Sequence, residues 1–325
     1  MEEETEGGTV IDAAYPSVVF LGTPEFAVPS LQKLVAARVP VVAVVTRPDR
    51  PSGRGKRLTA PPVKMVAQVL GIPVYQPERI RASEVSDRVR VLGAECGVVV
   101  AYGQILPQAF LDGFPLGALN VHASLLPSYR GAAPLQRCLL GGATRTGVTI
   151  MLLDAGMDTG PVLAQREVLI GPETTYGSLH DEMAQAGADL LLETLGEWRG
   201  GRIVPVPQDD ALATYAPPLH KTEGRLVWQA PAREVVNTIR AFDPFPGAYG
   251  FFQGQRLKFF QAVLLPWTSA GRPGEIAGCG EKGLVVLSGD GQGLAVGGLQ
   301  VQGQRRLPAA EFLRGRPMPV GSMLE

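Results

Sequence analysis

Residues 17–46 read SVVFLGTPEFAVPSLQKLVAARVPVVAVVT, and this stretch decides the fold. Ser17–Leu21 is an unbroken apolar run of strand length, and Gly22-Thr-Pro-Glu25 supplies turn chemistry. From Phe26 to Ala37 the apolar residues Phe26, Val28, Leu31, Leu34 and Val35 recur at helical period. Val39–Thr46 is a second strand made mostly of valine. Strands apolar on both faces, joined through a helix, predict parallel pairing with helices covering both sides of the sheet.

The rhythm continues outward from this unit. A Pro-, Gly- and Arg-rich loop spans Arg47–Pro61, followed by a helix over Val63–Leu70 and a short strand at Pro73–Tyr75. Ser83–Leu92 reads as a helix, Cys96–Tyr102 (CGVVVAY) as a fully buried strand, and Leu119–Val121 and Thr146–Leu152 as further strands. A helix at Ser178–Trp198 leads into a linker-like segment, Arg199–Pro207. Beyond it come one helix, Ala232–Ala241, and short glycine-broken strands at Ala248–Phe252, Arg256–Leu264, Gly283–Leu287 and Gly293–Val301. The expected fold class is therefore α/β. An open, mostly parallel, Rossmann-like sheet would occupy residues 1–206, and a small OB-like β-barrel residues 207–325. In such sheets the ligand crevice lies at the carboxyl ends of the strands. That rule gathers Gly22–Phe26, Thr46–Pro61, Tyr102–Pro107 and His122–Gly131 around one site.

Composition narrows the class. At 325 residues, 45% hydrophobic and 19% charged, the chain has material for two cored domains. The three cysteines, Cys96, Cys138 and Cys279, are widely spaced, which argues against a disulfide framework and a structural zinc site and suits a reducing compartment. The acidic start MEEETEGG lacks the basic flank of a signal peptide, and no apolar run approaches the roughly 20 residues of a membrane span. A cytoplasmic enzyme is expected. The net charge of -1 hides an asymmetry. Residues 1–209 carry 18 basic against 22 acidic side chains and residues 210–325 carry 12 against 9, yet the densest positive run is Arg47, Arg50, Arg54, Lys56, Arg57 and Lys64, opposed only by Asp49. Such a patch suits phosphate without making the whole surface sticky to nucleic acid.

Two phosphate-loop readings fail. Gly22-Thr-Pro-Glu-Phe26 lacks the GxGxxG of a dinucleotide site, and Gly53-Arg-Gly-Lys56 has Arg50 and Arg57 where a Walker loop needs glycine and Ser or Thr. Ala118–Gly131 (ALNVHASLLPSYRG) is more informative. If Leu119–Val121 is strand, Asn120 and His122 project from one face while Leu119 and Val121 point into the core. Two polar side chains leaving a strand's end together are convergent donors, suited to an oxyanion on a carbonyl under attack. The sequence that follows Thr146–Leu152 places two carboxylates, Asp154 and Asp158, in a glycine-containing loop. Either one beside His122 would favour its protonated form, and either could instead bond its own turn.

Asn120-Val-His122, Ser124-Leu-Leu-Pro127, Tyr129-Arg-Gly131, Ala133-Pro134 and Met157-Asp-Thr-Gly160 together resemble the formyltetrahydrofolate-dependent formyltransferases, with order and spacing kept. Gly22–Phe26, Arg47-Pro-Asp-Arg-Pro51, Gly53–Lys56, Pro61-Pro-Val-Lys64 and Arg240–Tyr249 (RAFDPFPGAY) resemble the tRNA-directed members of that family. The resemblance covers roughly residues 16–325. It implies direct transfer of the formyl group of 10-formyltetrahydrofolate to the free α-amine of initiator methionyl-tRNA, without a metal. Asn120 and His122 would hold the oxyanion, and Asp158, rather than Asp154, would hold His122 and move protons. The pterin would lie near Val98–Leu106 and Met157–Gly160, with Phe26, Tyr102, Ile105 and the Ser124, Leu125, Leu126 and Pro127 segment as folate contacts. The basic loop would enter the acceptor-stem region, with Arg54 the matching arginine and Arg50, Lys56 and Arg57 beside it. A monomer acting on tRNA and folate, and no membrane, is expected. A related transfer to a small amine has no use for the basic loop and the barrel, folate hydrolysis would show as formate release without an acceptor, and a non-enzymatic tRNA-binding protein has no use for Asn120, His122 and Asp158. The chain departs from the family at Arg137, where Trp commonly follows Gln, at Phe245, often Trp, and at the compact His220–Glu223.

Overall fold

The computed structural model describes residues 14–52, 57–280 and 283–325. The first unit runs β1 (Val18–Gly22), α1 (Val28–Ala36), β2 (Val41–Val45), β3 (Arg50–Ser52), β4 (Arg57–Thr59), α2 (Pro62–Val69), β5 (Val74–Tyr75), α3 (Ser83–Val91), β6 (Cys96–Val100) and α4 (Gln108–Leu111). It continues with β7 (Ala118–His122), α5 (Pro134–Leu140), β8 (Arg145–Leu152), β9 (Val162–Leu169) and α6 (Tyr176–Arg199). The second holds α7 (Ala232–Phe242), β10 (Ala248–Phe252), β11 (Gln255–Thr268), β12 (Ile276–Gly280), β13 (Gly283–Leu287), β14 (Gln292–Val301), β15 (Leu307–Pro308) and α8 (Ala309–Gly315).

One seven-stranded sheet has the order β5-β2-β1-β6-β7-β8-β9. Pairing is parallel from β5 to β7, as the valine-rich runs predict, and antiparallel from β7 to β9. Strand alternation divides the core. Val18 and Phe20 of β1 join Leu31, Leu34, Leu179 and Leu191 of α1 and α6 on one face. Val19 and Leu21 join Val89, Phe110 and Phe114 on the other. On β7, Leu119 and Val121 belong to the α1–α6 face, so Asn120 and His122 fall on the opposite one. Several elements were not foreseen. The loop Arg47–Pro61 carries a small hairpin, β3–β4, and α4, α5 and β9 occupy stretches without a strong periodic signal. Edge strand β9 is mostly half-exposed, which removes the apolar run by which the central strands are recognised.

In the second unit an antiparallel sheet follows the order β10-β11-β14-β13-β12, with β15 beside β14. Residues 322–325 lie between its two edges. Phe251 and Glu325 exchange backbone hydrogen bonds of 2.7 and 2.8 Å, Ile276 N donates to Ser322 O at 2.9 Å, and Leu324 N donates to Gly274 O at 2.8 Å. This segment satisfies the edge groups of β10 and β12 and closes the sheet into a barrel. Its core, with Trp228 and Phe259 in edge-to-face contact at 5.4 Å, is continuous with the α1–α6 core through α7, which packs on α5.

Polar clamps fix that junction. Arg240, buried at the α7 end, donates to Thr174 O (2.7 Å) and Gly171 O (2.8 Å). Arg137 of α5 donates to Pro217 O (3.1 Å) and Pro218 O (3.0 Å) and forms a forked pair with Glu223 at 2.6 and 3.2 Å. The departure at Arg137 thus ties the segment between the units to the first one. The Arg137 hydrogen bond holds the Glu223 carboxyl below the usual carboxylate range. Because the folded value is depressed, this stabilisation is present above about pH 4.3 and is lost as pH falls through the folded value. Arg137→Met is expected to cost about 1 kcal/mol at pH 7, a modest figure because both partners are partly solvated. The gap between the two proteins in urea unfolding should narrow in acid, where Glu223 is protonated, and keep the part owed to the Pro217 and Pro218 carbonyls.

Candidate active site

A cavity of about 810 Å³ opens beside the carboxyl ends of β1, β6 and β7. Its walls come from Pro24 and Phe26 after β1, Ala101–Leu106 after β6, Asn120–His122 of β7 with Ala123 just beyond, Gly131, Ala132 and Pro134–Gln136 into α5, Leu153–Asp158 after β8, and Tyr176 and His180 of α6. Among the described residues the Arg47–Pro61 loop contributes no wall, contrary to the crevice expectation, although Arg47 reaches the rim by donating to Gly103 O at 3.0 Å. The antiparallel β8 is why Leu153–Asp158 runs back across the site instead of continuing away from a strand's top.

Asn120 and His122 are both nearly buried and both line the cavity. Among the described residues the Asn120 carboxamide has no hydrogen-bond partner, so its two N–H groups are uncommitted. His122 is held on two sides. Its Nε2 lies 3.0 Å from Tyr129 O, which can only accept, so Nε2 carries the proton. Its Nδ1 lies 3.6 Å from Asp158 Oδ1, close to the carboxylate but beyond a direct hydrogen bond. The other Asp158 oxygen accepts from Gly131 N at 2.8 Å. Asp154 takes the structural part instead. Its carboxylate accepts from Gly156 N (3.0 Å) and Thr159 Oγ1 (2.8 Å) and caps the turn.

Phe26, Tyr102 and Ile105 line the cavity. Burial pushes the Tyr102 phenol up to about 12, so it stays neutral, and its hydroxyl has no partner among the described residues. Ser124, Leu125, Leu126 and Pro127, which follow β7, are not among the residues that line it. Ser124 Oγ donates to Ser128 O (2.5 Å), Thr149 Oγ1 donates to Ser124 O (2.7 Å), and Leu126 N donates to Thr149 Oγ1 (3.0 Å). Gln165 Nε2 adds bonds to Leu126 O (2.8 Å) and Thr149 Oγ1 (3.0 Å). This segment is a brace for the turn carrying Tyr129. Of the basic-loop residues, Arg50 and Arg57 are exposed on β3 and β4, while Arg54 and Lys56 lie outside the described residues. Lys64 is not free in that patch, because it pairs with Asp49 at 2.7 Å, and Gln76 also donates to Asp49 at 2.8 Å.

Sequence reasoning missed Tyr176, His180 and Gln208. His180 meets Phe26 and Tyr176 edge-to-face at 5.4 and 5.7 Å. The spacing of Tyr176 and His180, one helical turn apart at the start of a helix, was the available signal. Gln208 had none, since it directly follows the linker-like segment Arg199–Pro207 in a stretch without periodicity. Among the described residues no three His, Cys, Asp or Glu side chains group as a metal site, and no helix is long and apolar enough to cross a membrane.

An α/β sheet with an Asn, a His and an Asp converging on a cavity, joined to a barrel, defines a group-transfer enzyme built on a formyltransferase fold. The chain belongs to the formyl transferase family: the family model "Formyl transferase" matches residues 17–195, and "Formyl transferase, C-terminal domain" matches residues 218–317. It is 50% identical over 309 residues to the methionyl-tRNA formyltransferase of Pelobacter propionicus, covering 95% of this chain and 96% of that one. It is 48% identical over 307 residues to that of Citrifermentans bemidjiense, covering 94% and 96%. The fold also matches a solved sugar 3N-formyl transferase, WlaRD, in the presence of dTDP and 5-N-formyl-tetrahydrofolate, with a TM-score of 0.65 at 16% identity, covering 90% and 99%.

Thr149→Val keeps the volume and deletes the hydroxyl shared by Ser124, Leu126 and Gln165. It is expected to lower stability by about 1–3 kcal/mol, read from the denaturant midpoint, because buried groups lose their partner.

Proposed function

We propose that this chain transfers the formyl group of 10-formyltetrahydrofolate to the α-amine of initiator methionyl-tRNA. The single observation that carries the reading is the cavity in which Asn120, His122 and Asp158 converge, in a chain about half identical over nearly its full length to methionyl-tRNA formyltransferases. The amine attacks the formyl carbon, and the carbonyl oxygen becomes an oxyanion. Asn120 supplies an uncommitted N–H for it. With Nε2 donating to Tyr129 O, His122 acts through Nδ1, on the Asp158 side. Nδ1 and Asp158 are the groups placed to take the proton the amine releases and to return it to N10 of the departing folate. The C–N10 bond then breaks, leaving tetrahydrofolate and N-formylmethionyl-tRNA. A donor aimed at a developing oxyanion within a cavity is worth more than the same donor in water.

The flat pterin fits between Tyr102 and Leu106 within and the exposed apolar rim residues Ile105 and Met157. Catalysis falls to residues 1–206, and the barrel of residues 207–325 shares tRNA contact with the hairpin that carries Arg50 and Arg57. Arg54 and Lys56, in the same basic run, extend that contact to phosphate.

The direct test is formyl transfer to charged initiator tRNA and to small amines in parallel; a preference for the small amine would sink the reading. With the tRNA as acceptor, Asn120→Ala is expected to lower kcat by about 10²–10³-fold. Arg54→Ala is expected to raise KM for charged tRNA and to flatten the salt dependence by about one phosphate contact. KM for the folate should stay unchanged in that variant; equal losses toward both substrates would count against a tRNA role.

A further inference from the structure

We propose that Gln208 is a positioning residue for the transfer, holding the Asp158 carboxylate at His122 from outside the cavity. This rests on the function proposed above. Gln208 lies on a strap, residues 206–216, that connects the two units and falls between the two family-model matches. Its Nε2 donates to Asp158 O at 2.9 Å and to Gly160 O at 2.7 Å. Its Oε1 accepts from Arg130 Nε at 3.1 Å and Nη2 at 2.9 Å. Arginine only donates and carbonyls only accept, so the amide has one possible orientation. Both ends of the side chain are therefore committed.

What Gln208 holds is a backbone that would not hold itself. Asp158 sits at φ 55°, in the left-handed region that favours glycine and that other residues keep mainly where the surroundings hold them there. Gly160 passes so close to Leu152 O that a Cβ there would stand 1.8 Å away, so this loop cannot relax toward the sheet. Gln208 pins the carbonyls on both sides of Thr159, and Gly131 N pins the carboxylate at 2.8 Å.

The circuit closes on three consecutive residues. Tyr129 O accepts from His122 Nε2, the Arg130 side chain donates to Gln208 Oε1, and Gly131 N donates to Asp158 Oδ2. Arg130 is 2% exposed, and Asp210 of the same strap pairs with it at 2.8 Å. The strap also grips the backbone of this tripeptide. Tyr129 N donates to Thr214 Oγ1 (2.8 Å), Arg130 N to Thr214 O (2.9 Å), and Ala216 N to Arg130 O (2.7 Å). Gly131, at φ 119°, leaves the space for Ala216 O, which a Cβ would meet at 2.9 Å. At its other end Val206 and Val162 exchange backbone hydrogen bonds of 2.8 and 2.9 Å. The distance between His122 and Asp158 is thus set by a segment that touches neither side chain.

The test compares Gln208→Ala and Gln208→Glu in the full-length protein. Glutamate keeps the volume and the acceptor for Arg130 but cannot donate to the two carbonyls, so a space-filling or Arg130-pairing role survives in it and a positioning role does not. Steady-state formylation of charged initiator tRNA is measured alongside thermal unfolding. We expect kcat to fall about 10²-fold in Gln208→Glu, the scale of an ångström-size misplacement, with KM for folate and for tRNA within about threefold of the parent and the melting curve retained. Parental kcat in Gln208→Glu, a loss confined to KM, or a kcat loss matched by lost folded protein overturns the inference. Failure of the parent itself to formylate the tRNA would instead overturn the function on which it rests.

Discussion

The structure depends on the pleat of one short strand. β7 has partners on both sides and all five of its residues are buried, so its side chains must separate onto two faces. Leu119 and Val121 enter the core against α1 and α6, and this fixes the register. A slip of one residue would bury Asn120 and His122 in that core and expose Leu119 to the cavity, an exchange of apolar for polar burial that no local contact offsets. The same apolar packing that stabilises the sheet therefore aims the two polar side chains.

From that strand the polar order propagates outward by hydrogen bonds. Thr149 and Gln165 on β8 and β9 brace the turn after β7. That turn presents Tyr129 O to His122 and Gly131 N to Asp158. Antiparallel β8 ends beside the start of β7, with Leu152 opposite Leu119, and the loop that carries Asp158 runs back from there to the cavity. The strap between the units then fastens both loops from behind, so the segment that looks like a connector is part of the site's framework.

Much of this was legible in the chain. The central strands announce themselves as valine runs because they are buried on both faces, and α1, α6 and α7 show helical periodicity because each has a solvent side. The pairing of Asn120 with His122 follows from strand alternation alone. The choice of Asp158 over Asp154 came from the motif around it, and the structure supplies its reason: Asp154 is spent on Gly156 N and Thr159 Oγ1. Edge strand β9 and the short α4 and α5 gave no clear period. The Ser124–Pro127 segment is absent from the cavity lining and is held by Thr149 and Gln165.

The sequence by itself determined the fold class, the two polar residues that share a face and the family to which the chain belongs, because all three rest on local periodicity and on motifs of neighbouring residues. Only the tertiary structure decided which imidazole nitrogen is already engaged, and that Gln208 and Arg130 hydrogen-bond around the Asp158 loop. Those are contacts between residues as far as 80 positions apart. Such contacts are set by how loops cross a packed sheet, and hydrogen bonds that close over such distances leave no period in the chain.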